Sequence, residues 1–399
     1  MKRTIGALLT VGALLGAAIA PATAAPAVET SENTKHIANF AYDGGGELSA
    51  NGRYVYASEA NAQGGGQRGT APEDGGLHIF DVQKMKEVAF LHCPGTDNDV
   101  EFVRPGIVAM AFSQNMCAPS AGSGIMLIDV KNPAKPRIIS ALPTGAAHTM
   151  KPFPGGKYIY MAGGNLTGSA SNGTVIVNVS NPFKPKLEQE ASGVMDCHDV
   201  SFSITEEDRQ LGFCAGAVGT GEVQIWDVSD PLNPAIVSRI VNPAIQYSHY
   251  AIANDDGTLL AIDDEAFAAH DCNTGLSPTG RVWIYDITDP QIPVVQGSFA
   301  PPGGRGGNPS YANIGNFPGW VGSWCMSHGL DWHPKNDVVA VTWFTAGISV
   351  LDLSDPLQPT EVAYMYAEDS AAYSTLWHEG YLWVNDHMRG TDVLKIKGL

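Results

Sequence analysis

Four histidines, His148, His198, His249 and His328, stand at the start of equivalent β-rich segments, where Glu47, Asn98 and Ser374 occupy the same place in three others. A solitary histidine is usually a satisfied polar residue of a core. Four at one structural level around a symmetry axis converge, and neutral imidazoles suit a transition metal such as Cu or Zn. Asp199 beside His198, Glu47 across the ring, and Asp263, Asp264 and Glu265 offer further ligands or acceptors that hold an imidazole N–H. The competing reading is a hydrogen-bond belt in which each histidine ties its strand to a neighbour without any metal. His270 and His387 fall near the same level and could join a site.

The elements that position these side chains are read from a repeat. DVKNPAKP at 129–136, NVSNPFKP at 178–185, DVSDPLNP at 227–234, DITDPQIP at 286–293 and DLSDPLQP at 352–359 recur in frame, and GLHIFDV at 76–82 and DVLKI at 392–396 are weaker copies. The first spacings are about 50 residues and the later ones hold insertions, as expected of four-stranded propeller blades. One period reads as an inner strand (198–204), a second (211–217), a motif strand (222–228) and an outer strand (235–241), with turns between. Seven copies predict an all-β, seven-bladed propeller. The last motif strand has no outer strand after it, and HIANFAY at 36–42 has no blade of its own, so the N-terminal strand is expected to complete the last blade and close the ring.

The pattern G-x-h-x-h-x-D-h-S-D-P-x-x-P, with h apolar, resembles the LVIVD repeat of secreted bacterial propellers. YSHYAIANDDGTLLAIDDE at 247–265 and the CHDVSF and LGFCAG segments are similar to the choice-of-anchor B members of that group. The resemblance spans nearly all of the chain beyond its first residues. It implies the propeller fold and an exported protein, and it assigns no activity. Blade one, with DVQKMKEV, and blade three, with Asn178 in place of Asp, depart from the pattern at their turns.

Residues 1–24 read as an export signal: Lys2 and Arg3, an apolar run from Ile5 to Ala20, then Ala22-Thr23-Ala24. A flexible segment is expected at 25–35 and the propeller over 36–399. No later run is apolar for long enough to cross a bilayer. The 399 residues carry a net charge of −18 without any basic run, which argues against nucleic acid as a partner. Six cysteines in an exported chain suggest three disulfides, and of fifteen pairings their neighbouring places favour Cys93–Cys117, Cys197–Cys214 and Cys272–Cys325.

The polarity of the strands puts the inner-strand starts and the insertions 61–76, 163–173, 263–280 and 301–327 on one face, the top, and the Asp-Pro turns on the other. Long loops on a rigid scaffold carry function, and Tyr311, Phe317, Trp320 and Trp324 make 301–327 a candidate lid. The sequence lacks H-E-x-x-H, G-x-S-x-G and a Walker loop, which disfavours the common hydrolase and nucleotide chemistries. Three readings are left: a secreted, monomeric binding propeller with a His-lined metal or ligand site on top; a copper or zinc oxidase or hydrolase using the same cluster; and a metal-free scaffold for an extracellular protein.

Overall fold

The computed structural model describes residues 28–59, 75–93, 99–112, 117, 123–145, 148–162, 174–190, 197–205, 209–216, 221–265, 280–303, 305, 325–335 and 337–399. Seven antiparallel sheets are arranged as the blades of a propeller, with strands and no helices among the described residues. Blade four runs Cys197–Ile204, Gln210–Gly216, Glu222–Asp227 and Ala235–Val241, each within a residue of the strand read from the repeat.

Blades stack because their central strands are apolar on both sides. In the second strand of blade two, Ile107–Phe112, Ala109 and Ala111 pack with Ile159, Met161, Val175 and Val177 of blade three, whereas Val108, Met110 and Phe112 pack with Leu77 and Ile79 of blade one. A side-chain period of two sends alternate residues to opposite neighbours, so the whole strand is buried. The glycine that opens the motif strand is dictated by close approach: a Cβ on Gly124 would lie 2.1 Å from Leu142 O, and one on Gly347, at φ +77°, 2.2 Å from Met365 O.

The bottom turns are built locally. Asp227 Oδ1 accepts the N–H of Ser229 at 2.8 Å and Asp230 Oδ1 that of Leu232 at 3.0 Å; Asn178 and Asn181, Asp286 and Asp289, and Asp352 and Asp355 repeat the pair. Two of these turns are also gripped by the preceding blade: Ser140 Oγ donates to Pro182 O and Ser238 Oγ to Pro290 O, both at 2.6 Å. Blade one lacks the prolines and compensates differently. There Arg53 binds both oxygens of Asp81, and Met85 adopts φ +46°.

Ring closure pairs Thr34–Phe40 with the last strand, Gly390–Ile396, so the N-terminal strand completes blade seven. Of the stretch 25–35, expected to be flexible, residues 28–35 are described and contain strands. Val28–Thr30 hydrogen-bonds to the outer strand of blade six, Thr360–Ala367, as a fifth strand, and the closing strand begins at Thr34. Three residues show no periodicity, so pairing with a sheet edge decides this strand. Cys93–Cys117 and Cys197–Cys214 are bridged as expected. Cys325 is also in a disulfide, and Cys272 lies outside the described residues. No helix of the described residues is long and apolar enough to cross a membrane.

Candidate functional site

At the top of the inner strands the ladder register breaks. The breaks lie between Gly45 and Leu48, Cys197 and Asp199, Ser248 and Ala251, and Ala372 and Ser374. A bulge inserts a residue that has left the ladder and can re-aim its side chain. His198, His249 and Tyr373 are such residues. In blade seven the residue at the ring level is therefore Tyr373, and Ser374, aligned with the histidines by sequence, donates to Gly46 O at 2.7 Å instead.

The rings form a contiguous arc across the blades. His148 lies 4.6 Å from His198 between centroids, His198 4.2 Å from His249, His249 4.0 Å from His328, His328 3.9 Å from Tyr373, and Tyr373 4.1 Å from His387. His198, His249 and His328 are almost entirely buried.

Glu265, at the end of the second strand of blade five, Leu259–Asp264, reaches into this arc. Its Oε2 is 3.9 Å from His249 Nε2 and its Oε1 3.8 Å from His328 Nε2. One donor atom each from His198, His249 and Glu265 lies within 4.8 Å of the others. Ligands about 2.0–2.2 Å from one ion sit roughly 3–4 Å apart, so a small inward movement suffices to bind.

The opposite ring nitrogens are held. His249 Nδ1 pairs with Asp263 Oδ2 at 3.3 Å, and His328 Nδ1–H donates to Tyr373 O at 2.9 Å, which leaves both Nε2 atoms facing Glu265. His387 Nδ1–H likewise donates to Gly45 O at 2.7 Å. His198 Nδ1 is buried without a hydrogen-bond partner, a cost that a cation would relieve.

Electrostatics separates these imidazoles. Burial and the neighbouring His249 hold His198 and His328 well below the usual histidine range, so both are neutral, as metal ligands must be. Burial also opposes charge on His249, but Asp263 and Glu265 lift it to about 10. Burial in turn pushes Glu265 up to about 8. His249 Nε2 and Glu265 Oε2 stand 3.9 Å apart, and a divalent ion bound between them would displace a proton.

Other residues singled out by sequence go elsewhere. Asp264 turns into the connection and accepts the N–H groups of Gln246, Tyr247 and Gly280 at 3.1, 2.9 and 2.8 Å, so it anchors loops rather than facing the imidazoles. Glu47 and Asp199 line a cavity of about 90 Å³ beneath the histidines. Asp99, Glu101, Lys151 and Asp331 share that cavity. Their signal was visible as charged residues in inner strands that otherwise read apolar. His270 and the aromatic residues of 301–327 lie outside the described residues, except that Cys325 and Met326 are buried.

No family model matches the chain, and no curated protein matches it. Among solved structures, it is similar to the β-propeller domain of Cps50 (Swd1) from Myceliophteria thermophila, with a TM-score of 0.58 and 9% identity over 90% of this chain and 98% of that one. At that identity the likeness shows the fold: this chain is a seven-bladed β-propeller.

Proposed function

We propose that the protein is an exported binding propeller of the LVIVD type that holds a transition-metal ion, Cu or Zn, at the top of its axis through His198, His249, His328 and Glu265. The convergence of His198 of blade four with His249 and Glu265 of blade five, with His328 Nε2 of blade six 3.8 Å from the same carboxylate, supports this reading most strongly. A hydrogen-bond belt would pair each ring nitrogen with a neighbouring blade, whereas His198 Nδ1 has no partner and two Nε2 atoms face one carboxylate. Asp263 orients His249 and the Tyr373 carbonyl orients His328. His148 stacks edge-on against His198 and closes one side. Export is supported by the leader sequence and by the disulfides. Bound here, the ion would supply Lewis acidity or redox capacity.

Elemental analysis of protein purified from its native host tests the proposal. About one Cu or Zn per chain is expected, with loss of that metal in His249→Ala. Metal-free protein whose weak affinity for added Cu(II) and Zn(II) is the same in His249→Ala would sink it and leave the metal-free scaffold.

A further inference from the structure

Beneath the imidazoles, the axial cavity combines two kinds of wall. Glu47, Asp99, Asp199 and Asp331 supply carboxyl groups from four blades, and Leu48, Met150, Ile252, Leu330 and Leu376 supply apolar surface between them. Among the described residues, these carboxyls form no group that converges as His198, His249 and Glu265 do, so they are too spread to enclose a bare metal ion. Apolar walls also suit a hydrated ion poorly.

The cavity already contains one organic cation. Lys151 extends into it and pairs with Glu101 at 2.6 Å. Burial alone would drive its ammonium toward neutrality, but Glu101, Tyr250 and Asp199 hold its pKa well above the ordinary lysine value. A buried hydroxyl is also unmatched: Thr375 Oγ1, in the same wall, has no hydrogen-bond partner. A volume of about 90 Å³ equals roughly three waters at about 30 Å³ each, room for a ligand of a few heavy atoms.

We infer that this cavity is a binding site for a small primary alkylammonium ion, its ammonium among Glu47, Asp199 and Asp331 and its alkyl chain against the leucines. Lys151 fills part of the site as a built-in analogue of the ligand. His249 and His328 of the proposed metal centre form part of the cavity's wall, and ammonium binding, through the carboxyls, does not require the metal.

Calorimetric titration of the full chain, stripped of metal by a chelator and held at about pH 9, above the values of about 8 to which burial pushes Glu47 and Asp199, tests this with propylammonium, 1-propanol and propionate. Saturable binding of propylammonium alone is expected. Glu47→Gln should weaken it by about tenfold or more. Lys151→Ala, which frees Glu101 and adds room, should tighten it by a similar factor. The two variants act in opposite directions, so misfolding cannot imitate the pair. No saturable binding below about 10 mM, equal binding of 1-propanol, or an affinity unchanged in both variants would overturn the inference.

Discussion

The top and bottom of this propeller are made by the same repeat and treat their polar groups in opposite ways. At the bottom, each Asp or Asn of the turn accepts a backbone N–H two residues on, and its neighbours take the rest. At the top, register breaks push imidazoles out of the ladder into one buried arc, where carboxyls rise above their ordinary pKa and one ring nitrogen has no partner. A face whose groups are satisfied locally is a structural device. A face that gathers buried imidazoles and a carboxyl without satisfying every one of them is poised for a ligand.

The strongest way to break that comparison is at the arc. His249→Ala should lower affinity for Cu(II) or Zn(II) by more than about 100-fold, and Asp263→Asn, which only orients that ring, by about 10- to 100-fold. Competition with a chromogenic chelator reads both. Equal effects from the two variants would mean that Asp263 is itself a ligand.

A second test addresses the seam where the ring closes. Asp392 is fully buried and accepts hydrogen bonds from His36, Asn39 and Arg389. Burial alone would raise its pKa, but His36 and Arg389 hold it below the ordinary carboxylate value of 3.8. A depressed folded-state pKa means that the stabilisation is present above 3.8 and is lost as the pH falls through the lower folded value. Asp392→Asn should cost about 3 kcal/mol at neutral pH, since it strands part of the charge of Arg389, and should flatten the acid limb of a denaturation midpoint against pH. An unchanged acid limb would assign that limb to other carboxylates.

Removing the Cys197–Cys214 bridge should cost about 2 to 3 kcal/mol. It ties the inner strand of blade four to its neighbour beside His198, so the double Cys→Ala variant should also weaken metal binding. Loss of stability with no change in metal affinity would separate the bridge from the site. At the bottom, Asp227→Ala should cost only about 1 kcal/mol and leave metal affinity untouched, read by urea denaturation and the same competition assay. A change in metal affinity there would show that the two faces are coupled.

Much of this was legible in the chain because the bottom face is local. An Asp-Pro-x-x-Pro turn carries its partners within a few residues, so its copies mark the blades, their strands and the missing outer strand that the N-terminus supplies. The site was half legible. The histidines are part of the repeat and Glu265 stands among the acids read as further ligands, but Tyr373 occupies the place that simple alignment gives to Ser374. This follows from the bulge between Ala372 and Ser374, which shifts the facing of the strand by one residue and leaves no fixed mark in composition. Lys151 and the carboxyls of the cavity come from five separate blades and meet only at the axis.

The sequence alone determined the number of blades, the order of strands within each and the way the ends join, because these depend on periodic short-range patterning and on local turn chemistry. Tertiary structure decided which side chains face the axis, which ring nitrogens are held and which are left open, and that Asp264 serves the loops while Glu265 serves the imidazoles. Those outcomes depend on distances between separate blades and on burial that only the closed ring creates.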